Sequence, residues 1–151
     1  MKYDALVEAA EHKHIKVKEA DLHLYDGLIK GRTIAIRRDQ PRRKKACVLA
    51  EELGHILTSS GNIIDYDDPN SQKQETKART AGYDLLIGLD GIIRAYRAGC
   101  ANCYEMAGYL EVTEEFLRDA ISRYRDKYGI YVIHEGYCVI FEPSLAVMKL
   151  L

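Results

Sequence analysis

Residues 47–58, Cys47-Val48-Leu49-Ala50-Glu51-Glu52-Leu53-Gly54-His55-Ile56-Leu57-Thr58, constrain the chain more than any other stretch. At about 100° per residue, Ala46, Leu49, Leu53, Ile56 and Leu57 line up as one apolar stripe. Glu51 and His55 fall on the opposite side. The stretch therefore reads as a helix with a core face and a polar face. Pro41 suits its first turn, and Gly61 follows its end. Residues four apart stand one above the other on a helix, so Glu51 and His55 are poised to share one ion, with Glu52 beside them. The pattern is an E-E-x-x-H variant of the H-E-x-x-H helix of zinc proteases.

That pattern has a chemical logic. A metal that hydrolyses amides needs a few protein ligands and an open position for water. The ion acidifies that water, and a neighbouring carboxylate takes the proton. Glu52 is placed to be this base, with Glu51 and His55 as ligands. Zinc usually takes three protein ligands in such sites, and Glu75 is the best candidate for the third. It is expected to open a second helix running to about Gly88. Ala78 and Gly82 lie on its face, small enough for this helix to approach the first. Arg79, one turn beyond Glu75, is expected to steady a ligand carboxylate from outside the metal's own shell.

Leu49-Ala50-Glu51-Glu52-Leu53-Gly54-His55, followed by Thr58-Ser59-Ser60-Gly61-Asn62, resembles the ImmA/IrrE family of metallo-endopeptidases, in the form found in phages and mobile elements. Glu75, Lys77-Ala78-Arg79 and Leu85-Leu86-Ile87 match that family's downstream glutamate helix, and Tyr124-Arg125-Asp126-Lys127-Tyr128-Gly129 extends the likeness toward the C-terminus. The resemblance implies Glu52 as base, and His55 and Glu75 as ligands of one divalent metal, zinc first and manganese second. It also implies a protein substrate, a helix-turn-helix repressor or another DNA-binding regulator, cleaved in an anti-repressor role. The chain departs from the better-known members at position 51, where they carry His. A carboxylate is a harder ligand than imidazole, which bears on the choice of metal. Two alternatives stay open: an inactive or metal-free relative that binds a regulator without cutting it, and a DNA-binding regulator.

The remaining chain suggests an α+β class: one helix-rich domain over residues 1–151, with a small antiparallel or mixed sheet and a zincin-like metal helix. Residues 3–13 form a helix, with His12 and His14 at its exposed end. Ile15-Lys16-Val17-Lys18 and Arg32-Thr33-Ile34-Ala35-Ile36-Arg37 alternate as strands, with Asp26-Gly27 and Lys30-Gly31 as turn signals around Leu28-Ile29. By analogy with other metalloproteases, the segment from Arg32 to Arg37 is expected to be a sheet edge that pairs with extended substrate. Arg37, Arg38, Arg42, Arg43, Lys44 and Lys45 read as a solvated connection, because the cluster lacks interleaved aromatics. The acidic run Asp65-Tyr66-Asp67-Asp68 lacks the ligand spacing of a calcium loop and reads as an ordinary loop.

Residues 103–128 read as two helices with helix-turn-helix spacing, the second capped by Thr113. It opens Glu114-Glu115, which repels phosphates, so no direct nucleic-acid contact is expected. Ile130-Tyr131-Val132-Ile133-His134 and Tyr137-Cys138-Val139-Ile140-Phe141 make a hairpin. His134 is a second candidate for an outer position near the metal. The apolar tail from Leu145 to Leu151 is expected to dock on the core or on a neighbouring chain. The formal net charge of −1 recruits neither nucleic acid nor membrane. No apolar run spans a bilayer, and Met1-Lys2-Tyr3-Asp4 lacks a signal-peptide core, so a cytoplasmic location is expected. The four cysteines are then reduced thiols. Cys100-Ala101-Asn102-Cys103 is a lone C-x-x-C without the second pair a structural zinc site needs.

Overall fold

The structure, a computed structural model, describes residues 2–59 and 69–151. Their contacts divide the chain into two compact units, Met1–Leu85 and Leu86–Leu151. The α+β class holds: among the described residues, helices α1–α6 accompany two three-stranded sheets. Among the described residues, no helix is long and apolar enough to cross a membrane.

The first unit opens with α1 (Lys2–His12), which buries Tyr3, Leu6 and Ala10. Strands β1 (Lys16–Ala20), β2 (Gly27–Lys30) and β3 (Thr33–Arg37) follow. In β3 the alternation is sharp, with Ile34 and Ile36 fully buried and their neighbours half-buried. The sheet order is β1-β3-β2, with β1 parallel and β2 antiparallel to β3. Two sequence expectations change here. Leu28 and Ile29 are strand residues, paired with Ala35 and Ile34, because Gly31 at φ +61° turns the chain tightly enough to return it as a hairpin. And β3 is the central strand, bonded on both sides, so the segment from Arg32 to Arg37 has no free edge to offer a substrate. Among the described residues, the free edges of this sheet are β1 and β2.

Helix α2 (Arg42–Thr58) starts after Pro41, which is extended at ψ 154°. It buries more than the expected stripe: Cys47, Val48, Ala50 and Gly54 join Ala46, Leu49 and Leu53, while Leu57 is exposed. The reason is that α2 is covered twice, by α1 and the sheet on one side and by α3 (Pro69–Leu86) on another. Helix α3 begins six residues before Glu75, because Pro69 is compatible with a first helical turn. Glu75 therefore sits inside the helix rather than at its start. The acidic run from Asp65 to Asp68 lies outside the described residues.

In the second unit, α3 stops at Ile87 (φ −124°, ψ −81°) and the chain restarts at Gly88 (φ +62°) as α4 (Gly88–Arg97), an element the sequence reading missed. Helices α5 (Cys103–Leu110) and α6 (Glu114–Tyr128) match the expected pair. The Thr113 hydroxyl caps α6 by accepting from Phe116 N–H at 3.1 Å. Strands β4 (Tyr131–His134) and β5 (Tyr137–Ile140) form the expected hairpin, and the tail is no loose docking segment. It supplies a third strand, β6 (Ala146–Lys149), in register Cys138↔Met148. The core is Ile92, Leu110, Val112, Leu117, Tyr124 and Val139. The Tyr124 hydroxyl accepts from the Gly88 N–H at 3.2 Å, bonding the first residue of α4.

Candidate metal centre

The approach of α2 to α3 is set by backbone. A Cβ on Gly54 would collide with the Ala78 carbonyl oxygen and lie 3.0 Å from the Gly82 nitrogen. One on Gly82 would lie 2.9 Å from the Ala50 carbonyl oxygen. No side chain fits between the two helices at this level, so His55, next to Gly54, and Glu75, one turn before Ala78, are held face to face. The small residues that the sequence suggested for this role are the ones in the seam.

His55 Nε2 stands 3.6 Å from Glu75 Oε2, with both side chains largely buried. That gap is too long for a hydrogen bond. Two ligands each about 2.0–2.1 Å from one zinc ion stand about 3.4 Å apart at the tetrahedral angle. The separation is thus that of two groups able to share an ion. The two oxygens of Glu75 differ in their partners. Oε1 accepts from Arg79 Nε at 3.0 Å, while Oε2 is buried and has no hydrogen-bond partner among the described residues. A buried carboxylate oxygen without a donor costs on the order of 1–3 kcal/mol. A cation between it and His55 removes that cost, and the orphaned atom is the observation that fits a metal here.

The other two carboxylates respond to the same surroundings. Burial pushes the Glu51 carboxyl above the usual range, against the pull of Arg79, Lys44 and His55, and the like charge of Glu75 adds to the rise. Glu51 keeps solvent access over much of its surface, so its own environment is mixed. Burial likewise raises Glu52; His55 opposes the shift, and Glu51 and Glu75 reinforce it. The hydrogen bond to Glu75 raises the already high pKa of Arg79. Glu51, Glu52, His55 and Glu75 are one electrostatic group. Among the described residues, however, no three His, Cys, Asp or Glu side chains converge as a ready ligand set. His55 and Glu75 are brought together, Arg79 holds the outer oxygen of Glu75, and Glu51 is coupled to the pair through its field.

Gly27 in β2 is a neighbour the sequence reading missed. A Cβ there would meet Val48 at 2.7 Å and Glu52 Cγ at 3.3 Å. Edge strand β2 thus runs against the Glu52 face of α2, and the only trace in sequence was an Asp-Gly pair read as a turn. The basic cluster is largely consumed internally: Arg37 pairs with Asp26 at 3.0 Å, Arg38 with Asp21 at 2.8 Å, Arg42 with Asp4 at 2.5 Å and Lys45 with Glu19 at 2.7 Å. The last two pairs tie α2 to α1 and to β1. His134 belongs to the second unit, where its Nε2 lies 2.8 Å from Asp90 Oδ1. Arg118, near the start of α6, is bonded to Glu114 at 2.7 Å, which reduces what that helix offers a phosphate.

A family model described as the IrrE N-terminal-like domain of peptidase family M78 matches residues 10–128. Comparison with curated proteins gives no match.

Proposed function

This chain belongs to the M78 peptidase family, and on that premise we propose that it is a metal-dependent endopeptidase built on the His55–Glu75 pair. His55 and Glu75 would hold the ion, and Glu51 would complete the protein ligands by a rotation of its side chain. Zinc is the first choice and manganese the second. When bound, the metal supplies Lewis-acid polarisation of a carbonyl and acidified water. Glu52, beside this group and with a carboxyl raised by burial, takes and returns the proton at its carboxylate oxygen. Arg79 orients Glu75 by occupying its other oxygen. The observation that carries the reading is Glu75 Oε2, buried, without a hydrogen-bond partner among the described residues and 3.6 Å from His55 Nε2.

The substrate strand is assigned to β2. Its edge is free, and Gly27 brings it against the Glu52 face of α2. An extended peptide added along β2 gains main-chain hydrogen bonds and passes next to Glu52. The likeness to the ImmA/IrrE proteins supports a DNA-binding regulator, a helix-turn-helix repressor, as the protein cut. A binding-only reading draws on one observation, that Glu51 does not converge with His55 and Glu75.

Elemental analysis of protein purified without chelator separates the two. One divalent ion per chain in the wild type and none in His55→Ala is the expected result, and equal metal in both rejects the site. Glu52→Gln should keep its metal and its thermal stability while losing cleavage of a repressor or a fluorogenic peptide. Loss of metal from that variant would mean that the roles of Glu51 and Glu52 are exchanged.

A further inference from the structure

We propose that Cys100, Cys103 and Met106 form a binding site for a soft monovalent metal ion, copper(I), that uses none of the residues of the His55–Glu75 pair. All three residues line one cavity of about 250 Å³ in the second unit, whose other walls include Tyr96, Leu145 and Val147. Both cysteines are free thiols, partly accessible. Their C-x-x-C spacing is the one with which protein metal sites pair two thiolates. Met106 follows Cys103 by three residues on α5, so the two share a helix face.

The backbone that carries these sulfurs is fixed in advance. Gly99 turns the chain at φ +88°, and Cys100 N–H donates to the Ala95 carbonyl at 3.1 Å. The Asn102 side chain accepts from Glu105 N–H at 2.9 Å, and Glu105 Oε1 accepts from Ala101 N–H at 2.8 Å. This reciprocal cap holds the loop between the two cysteines in one conformation. Among the described residues, no His, Asp or Glu lines the cavity.

The donor set selects the ion. Two thiolates and a thioether are soft ligands, matched to copper(I). Structural zinc takes four ligands, and the cavity wall supplies no fourth imidazole, thiolate or carboxylate. The wall is mostly apolar, with Leu145 and Val147 beside Met106, which favours a weakly hydrated soft ion over a strongly hydrated divalent one. Two thiolates around a monovalent cation leave the site with one negative charge.

The test is an anaerobic titration of the reduced, full-length protein with copper(I) in competition with bicinchoninate, a chromogenic copper(I) chelator. One copper(I) per chain is expected, and unchanged binding in His55→Ala. Cys100→Ser and Cys103→Ser should each weaken binding by at least about tenfold, and Met106→Leu should weaken copper(I) without altering zinc(II) binding. In the wild type, bound copper(I) should also shield Cys100 and Cys103 from iodoacetamide, read by peptide mass spectrometry, with no change at Cys138. A wild type that cannot compete with the chelator overturns the proposal. So does undiminished binding in the double Cys→Ser variant, or equal alkylation of Cys100 and Cys103 with and without copper(I).

Discussion

Glu75 shows how one side chain is divided between structure and chemistry. Arg79 fixes one oxygen at 3.0 Å and leaves the other facing His55. Arg79→Ala frees the carboxylate to rotate without touching the ion directly. It is expected to lower zinc affinity about 10–100-fold, as loss of an outer-shell partner does. Chelator competition on the folded variant measures this, and an unaltered affinity would remove Arg79 from the site. In the proposed centre, position 51 sets the charge. With Glu51, His55 and Glu75 as its proposed ligands it carries two negative charges, and both carboxylates are hard donors. Glu51→His replaces one of them by a neutral, softer imidazole, so the variant should favour zinc over manganese more strongly than the wild type does. Metal content after dialysis against an equimolar mixture reports the ratio. An unchanged ratio would place Glu51 outside the ligand set.

Among the elements, the α2–α3 seam carries the sharpest expectation. Gly→Ala in an exposed helix gains about 1 kcal/mol from propensity. At Gly54 the new Cβ would collide with the Ala78 carbonyl, and overpacking of this kind costs about 1–3 kcal/mol or more. The clash should win, so Gly54→Ala is expected to lower the urea midpoint and to weaken metal binding together, by pushing His55 away from Glu75. A more stable variant would contradict the close contact. The junction of α1 with β1 makes a separate prediction. Burial, with the Glu19 carboxylate next in effect, pushes the Tyr3 hydroxyl up to about 12, and that hydroxyl donates to Glu19. The folded state therefore holds this proton more tightly than the unfolded chain. Its stabilisation is complete below pH 10 and falls as pH rises toward 12. The stability advantage of wild type over Tyr3→Phe should shrink by about 1 kcal/mol between pH 9 and 11, read by denaturant unfolding at each pH. The same elements show what was legible in sequence. Helix α2, its polar face and the small-residue face of α3 were readable, because helical period and residue size are local properties. Strand β2 was not, since four residues between two turn signals carry no period of their own. The start of α4 was hidden by an unbroken apolar run, Leu85-Leu86-Ile87. The third strand β6 exists only through its pairing with β5, and the unpartnered oxygen of Glu75 is a fact of three dimensions.

For the whole molecule, the proposed ligands Glu51, His55 and Glu75 all lie in the unit Met1–Leu85. A metal that binds only the native state stabilises it by mass action. Zinc should therefore slow amide hydrogen exchange most in α2 and α3, and a chelator should reverse the effect. Protection that appears chiefly in α5 or α6 would relocate the ion. The glycine seam has a consequence for how this chain tolerates change. At positions 54 and 82 the limit is volume, and any added atom meets backbone. At Glu51, Glu52 and Glu75 the limit is chemical, and among the described residues nothing hydrogen-bonds Oε2 of Glu75. A saturation library selected for folding alone should keep glycine at 54 and 82 and replace Glu75 with neutral residues. The same library selected for cleavage should restore Glu75, so that deep sequencing of the two pools would separate the residues that build the helix pair from those that use it.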